Sequence, residues 1–195
     1  FLDSKDEPAL MMNFTNSWLA EIWEERVEST NEEAIEACLS ARPMYEVPDE
    51  ALVITAAVDV QLDYVVYQVT AWGVDEESWV IAMGEASTFE QLEAEVLVPW
   101  GKQKLMPRIM VIDSRYRRDE VMEFCRRNSS VARMIAGVER VSPVPFSTVK
   151  IDKHPRTGAI LKTSMTVWTI NVGMFKDLVA HRLRQSLVKS EKPLG

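Results

Sequence analysis

The 195-residue chain is short of the residues that mark several large protein classes. Its two cysteines, Cys38 and Cys125, are too few and too far apart in sequence for a disulfide framework or a four-ligand zinc site, a pattern that suits a reducing, intracellular compartment. Its two histidines, His154 and His181, show no metal-ligand spacing and read as surface residues. The 7 glycines build no Gly-rich phosphate loop, and neither HExxH nor GxSxG occurs. P-loop ATPases, zincins and nucleophile-elbow hydrolases are thereby excluded. No apolar run approaches the roughly 18 to 20 residues that span a bilayer. The longest, Ala51 to Val60, is interrupted by Thr55 and Asp59. With 47% hydrophobic and 27% charged residues and no low-complexity tract, wholesale disorder is excluded too. There is no initiating Met and no signal-like segment, so the chain reads as a piece of a longer protein.

What the sequence has is charge, unevenly spread over a net of −8. Residues 1–100 carry 22 acidic and 3 basic side chains, a net of −19, whereas residues 101–195 carry 8 acidic and 19 basic ones, a net of +11. Such asymmetry points to a basic face for an anionic partner and an acidic part turned elsewhere, unless the halves interleave in the fold and the charges mix.

Residues 1–46 read as a linker that packs on a neighbour. Met12, Phe14, Trp18, Leu19, Ile22 and Trp23 are spaced as a helical stripe, and a helix is expected from Thr30 to Leu39 with Thr30 or Asn31 as N-cap. Arg42-Pro43 and Val47-Pro48 then punctuate the chain, and a single domain is expected over 47–195. Its strands are predicted at Leu52–Val60, Tyr64–Trp72 and Ser78–Met83, joined by tight turns, then at Ile109–Ile112 and Val131–Gly137. Helices are predicted at Thr88–Val98 and Arg118–Arg127. Thr148–Asp152 and Ile160–Thr163 flank a turn at His154–Gly158 as a basic β-hairpin, and Val167–Val172 reads as one more strand. An amphipathic helix closes the chain from Phe175 to Val188, with Phe175, Leu178, Val179, Leu183 and Leu187 expected inward. Trp72, Trp79, Trp100 and Trp168 read as core or rim packing. The order of elements is that of a mixed α/β domain without internal repeats.

Two positions stand out chemically. Asp59 lies near the end of an otherwise apolar strand and Asp113 ends another. A carboxylate there is costly to desolvate unless a cation or donors compensate it, and strand ends are where open α/β sheets place their sites. Two carboxylates from adjacent strands repel, and a divalent metal removes that penalty; alternatively each Asp merely accepts turn amides. A three-strand meander with Asp on its first strand, then a helix, then a strand ending in Asp, matches the ribonuclease H-like arrangement. In that arrangement clustered carboxylates hold divalent metals for phosphodiester cleavage, and hard Mg²⁺ or Mn²⁺ ions call for oxygen ligands. Lower-ranking acids are Glu85, after the third strand, Asp63, which shapes a turn, and Asp177, a helix-face acid. Arg115, Arg117 and Arg118 follow Asp113 as a candidate phosphate track. Lys150, Lys153 and Arg156 with Lys162 suit a sequence-independent grip on a DNA backbone, and Lys176 a phosphate contact.

An ordered set of segments carries a family resemblance. Asn13-Phe14-Thr15-Asn16-Ser17-Trp18-Leu19 precedes Trp23-Glu24-Glu25; then come Thr55 to Asp63, Ala71-Trp72-Gly73, Glu77-Ser78-Trp79, Val111-Ile112-Asp113-Ser114, Val121 to Cys125, and Lys176-Asp177 ahead of Arg182-Leu183. In these the chain resembles the nuclease region of the large terminase subunit of tailed bacteriophages, the lambda-like GpA family, over most of its length. The resemblance implies a metal-dependent endonuclease that cuts concatemeric double-stranded viral DNA for packaging, in the cytoplasm of the host bacterium. It implies two Mg²⁺ or Mn²⁺ ions, with Asp59 bridging both and Asp113 holding one. It also implies a packaging ATPase domain in the same full-length chain, a small terminase subunit and a portal protein as partners, and no membrane. Many relatives carry an Asp two or three residues before the Lys176 position, where this chain has Asn171-Val172-Gly173-Met174-Phe175. The family's last acidic residue has no counterpart before Gly195, so the third carboxylate is expected beyond it. A junction resolvase or transposase of the same fold, and a non-catalytic assembly module, are the rival readings.

Overall fold

Segments in which β-branched residues recur build strands here, and the strands join into one mixed sheet. The structure, a computed structural model, describes residues 35–36, 38–39, 42–139, 144–153, 158 and 160–190, the side chains of 161–163 and 184–190 excepted. The chain divides into two units, Ser40–Val179 and, separately, Phe1–Leu39 with Ala180–Gly195. The sheet belongs to the first unit. The apolar stripe from Met12 to Trp23 lies outside the described residues, as do residues 30–34 and 37 of the helix expected at Thr30–Leu39, of which Ile35 and Glu36 are helical.

The strands are β1 (Val53–Val60), β2 (Val65–Trp72), β3 (Ser78–Ala86), β4 (Pro107–Asp113), β5 (Ala132–Val138), β6 (Phe146–Lys153) and β7 (Ile160–Asn171). Helix α1 (Phe89–Val96) follows β3, α2 (Arg118–Arg127) follows β4, and α3 (Val172–Ser190) follows β7. The sheet order is β3-β2-β1-β4-β5-β7-β6. The first three strands form an antiparallel meander; β4 runs parallel to β1, β5 to β4 and β7 to β5, while β6 returns antiparallel along the edge. This is an α/β fold of the ribonuclease H-like kind, as the order of elements predicted. No helix among the described residues is long and apolar enough to cross a membrane.

The two halves of the chain do not interleave within the sheet. The acidic half supplies β3, β2 and β1, the basic half supplies β4, β5, β7 and β6, and the seam runs between β1 and β4. Within the described sheet the charge asymmetry is therefore an asymmetry in space.

One face of the sheet is packed and the other is open. Ile54, Ala56, Val58 and Val60 of β1, with Met110 and Ile112 of β4 and Met134 of β5, are buried beneath Phe89, Leu92 and Val96 of α1 and Val121 and Phe124 of α2. The Phe89 and Phe124 rings meet at 5.3 Å and tie the two helices together. On the opposite face Val53, Val80 and Met83 are exposed. The Thr88 hydroxyl accepts the Gln91 N–H at 3.1 Å and starts α1. The helix stops at Val96 rather than Val98, because Pro99 disfavours helical geometry at the residue before it.

Gly84 sits where Tyr67 crosses it: a Cβ there would lie 2.6 Å from the Tyr67 hydroxyl oxygen. The space lets that hydroxyl donate to Glu95 Oε2 at 2.8 Å, while the Gln91 amide donates to Oε1 at 2.8 Å. The hydrogen bonds from Gln91 and then Tyr67 hold the Glu95 carboxyl below its ordinary range, against the opposing pull of desolvation. A depressed carboxylate contributes stability that is present above its unfolded-state value and fades as pH falls through the folded one. Tyr67→Phe is therefore expected to lose stability mainly at neutral pH, where the bond's contribution is fully present, and to converge on the parent as pH falls below the usual glutamate range, as urea titrations at stepped pH will read.

Other boundaries differ from expectation as well, β4 and β6 each starting two residues early. β3 continues to Ala86 because Gly84, Glu85 and Ala86 keep pairing with Tyr67, Val66 and Val65, so Glu85 lies inside the strand and not after it. The segments Ile160–Thr163 and Val167–Val172 are one strand, β7: Ser164-Met165-Thr166 contains no breaker, and β6 pairs along it. Helix α3 starts at Val172 rather than Phe175, capped by Asn171, whose side-chain oxygen accepts the Met174 N–H at 3.2 Å. Along it Phe175, Leu178 and Val179 are exposed, not inward as the helical spacing suggested, and Leu183 is half-buried, while the Leu187 side chain lies outside the described residues.

Candidate functional site

Alternation along β1 and β4 decides where the two carboxylates point. Val58, Val60, Ile112 and Ser114 are buried on the helix-covered face, so Asp59 and Asp113 project from the open one. Val58 pairs with Ile112 across the parallel β1–β4 ladder, and one step further the register brings Asp59 beside Asp113. They sit on adjacent strands, about 4.8 Å apart in the sheet, at the seam between the acidic and basic halves. Asp59 is exposed and Asp113 half-buried. The Gln61 amide donates to Asp59 Oδ2 at 2.6 Å, and the Arg115 N–H donates to Asp113 Oδ1 at 3.4 Å. The second oxygen of each carboxylate has no partner among the described residues.

The chain after Asp113 is latched to β5. Buried Ser114 donates to the Ile135 carbonyl twice, from its N–H at 3.0 Å and from its hydroxyl at 2.8 Å. Arg115 Nη2 donates to the Gly137 carbonyl at 2.9 Å. Gly137 has no side chain to block it: a Cβ there would meet Arg115 Nη2 at 2.9 Å and Val172 Cγ2 at 2.7 Å. The Arg115 guanidinium therefore lies across β5 on the open face, next to Asp113. Sequence reasoning named Arg115 but not the seat that orients it; a lone glycine in a strand pattern is the signal of such a close approach.

The remaining candidates are dispersed. Arg117 turns away from the carboxylates: its guanidinium bonds Glu120 twice, at 2.9 and 2.7 Å, and lies 5.2 Å from the centre of the Phe89 ring. Donating to the Glu120 carboxylate raises the Arg117 pKa, and accepting the same hydrogen bonds lowers that of Glu120. Its Nη1 is buried and finds no acceptor among the described residues. Arg117 also opens α2 with a left-handed backbone, φ 45°, so it serves the turn into the helix. Arg118 is exposed beside it. Asp63 is exposed in the β1–β2 turn. Glu85 is exposed on the same face as Asp59, the row running Asp59–Val66–Glu85 with one strand between the acids. Lys150 and Lys153 are exposed on β6, and Lys176 and Asp177 in the first turns of α3. Arg156 and the Lys162 side chain lie outside the described residues.

The donor set suits a hard cation of modest protein coordination. Mg²⁺ binds through one or two carboxylates and keeps waters or phosphate oxygens for its other positions, and Asp59 and Asp113 offer two such oxygens on an open face. No group of three or more His, Cys, Asp or Glu residues able to hold a metal occurs among the described residues.

No solved structure matches the chain. The large terminase subunit of Escherichia phage lambda is 31% identical to it over 81 residues, which is 42% of this chain and 13% of that protein. The chain thus spans a small part of the relative's length. The family model described as the terminase large subunit gpA endonuclease domain matches residues 1–192, nearly the whole sequence. On that match the chain belongs to the gpA terminase endonuclease-domain family.

Proposed function

We propose that the chain is a metal-dependent endonuclease domain that cuts double-stranded viral DNA for genome packaging. The observation that carries this reading is the side-by-side placement of Asp59 and Asp113 on the open face, at the ends of adjacent parallel strands, in a chain of this family. Asp59 and Asp113 would hold Mg²⁺ or Mn²⁺, and a divalent ion bound there supplies water activation and charge neutralisation at the scissile phosphate. Gln61 orients the Asp59 carboxylate, and the Ser114 latch on β5 fixes the loop that follows Asp113. Arg115, held over Gly137, presents positive charge to a phosphate beside the carboxylates, a role its planar guanidinium suits. Lys150 and Lys153, with Arg156 and Lys162, would grip the backbone further along, as would Arg118 and Lys176. Such contacts position a duplex without reading its sequence. The proposed partners are the packaging ATPase domain, the small terminase subunit and the portal protein.

Nicking of supercoiled plasmid by this protein in Mg²⁺, Mn²⁺ or EDTA tests the reading. Conversion to open circles in either metal and none in EDTA is the expected result. DNA binding without cleavage in any metal would instead favour a non-catalytic assembly module, a reading to which the lack of a third clustered carboxylate among the described residues lends weight.

A further inference from the structure

The same row of the sheet that holds the two carboxylates continues into aromatic residues. Asp113 pairs with Ile135 of β5, Ile135 with Trp168 of β7, and Trp168 with Thr148 of β6. In-register partners share a face, so Trp168 stands on the open face about 10 Å from Asp113, two strand spacings away. One step nearer the strand ends, Phe146 of β6 pairs with Ile170 and stacks diagonally on Trp168, with ring centroids 5.5 Å apart and planes at 16°. Phe146 keeps 50% of its surface exposed, and the Trp168 indole N–H has no acceptor among the described residues. The Arg115 guanidinium, on Gly137, lies between these rings and Asp113, and Lys150 follows Thr148 on the same face of β6.

An ordinary edge strand guards itself with charge. Here a half-exposed aromatic pair lies beyond an arginine that is itself beside two carboxylates. That sequence of groups is complementary to one nucleotide: a phosphate at the carboxylates, the next phosphate at Arg115, and a base against the rings. A base inside an intact duplex is stacked on its neighbours and cannot reach such a platform, whereas an unpaired base has a free π face. We propose that Phe146 and Trp168 form a stacking platform for an unpaired base flanking the cleavage site, so that the domain engages locally melted DNA. The inference rests on the nuclease reading above for the placement of the scissile phosphate.

The test is binding in EDTA, where no cleavage occurs, read by the anisotropy of two labelled strands of equal length: an oligothymidylate and its abasic counterpart, which keeps the phosphates but has no bases. Tighter binding of the oligothymidylate, by about fivefold or more, is expected, since one stacked base contributes on that order. Phe146→Leu and Trp168→Leu, which keep an apolar side chain without a π face, are expected to erase the difference and leave abasic binding unchanged. Phe146, already half-exposed, is the variant least exposed to a folding defect, and its melting curve will be compared with that of the parent. Equal affinity of the parent for both strands, or a base preference that survives Phe146→Leu in a folded protein, would overturn the platform. Plasmid nicking is scored separately, so loss of the nuclease reading and loss of the platform give different results.

Discussion

Asp59→Asn and Asp113→Asn, singly or together, are expected to lower metal-dependent nicking by roughly a hundredfold or more, because each removes a charge that would hold the ion at the scissile phosphate. The amide keeps the shape of the carboxylate, and neither position is in the packed core. Asp59 is exposed and Asp113 half-buried on the open face, so the fold should persist with an unchanged melting temperature. Arg117→Lys provides the contrast. It disturbs the bidentate bond to Glu120 and the contact with Phe89, and should lower stability more than turnover. If both Asn variants nick plasmid at the parent rate, the two carboxylates are turn acceptors and the site lies elsewhere.

The second large effect is expected in the core. Phe124 is fully buried in α2 and packs on Phe89 of α1. Phe124→Ala should cost about 3 to 5 kcal/mol, the lost transfer energy together with the cavity left between two helices and the sheet. The neighbouring Cys125 is also buried, and desolvation pushes its thiol up to about 12, so it behaves as a small apolar side chain. Cys125→Ala should therefore cost less than Phe124→Ala. Urea denaturation of the three proteins gives the comparison, and a Phe124→Ala loss below about 1 kcal/mol would mean that the α1–α2 contact is not part of the cooperative core.

Several features were legible in the linear chain. The β-branched run from Leu52 to Val60 and the turn residues between it and Trp72 define a hairpin by local chemistry alone. Arg118–Arg127 was bounded correctly because its apolar residues recur at helical spacing and acids occupy its first turn. Where prediction missed a boundary, pairing overrode the local signal. The β3 strand runs on through Gly84 to Ala86 because these residues keep pairing with β2, and β7 runs through Ser164-Met165-Thr166 because β6 pairs along it. The apolar residues of α3 had the spacing of an inward face, yet spacing says only that a helix has one apolar side and not what covers it.

By itself the sequence determined which residues could matter chemically: two aspartates at the ends of apolar strands, an arginine-rich stretch after the second, a basic hairpin, and a charge imbalance between halves. Those follow from residue type and short-range order, which need no partner strand. Tertiary structure alone decided that β1 and β4 are parallel neighbours in a register that puts Asp59 beside Asp113. It also decided that the charge boundary coincides with that seam, that Arg115 lies over Gly137 while Arg117 turns back to Phe89 and Glu120, and that Trp168 shares a row with the carboxylates. Parallel pairing joins residues 54 positions apart in the chain for Asp59 and Asp113. Pairing between segments so far apart needs a long crossover and a buried face shared by both strands, which no local run of residues encodes.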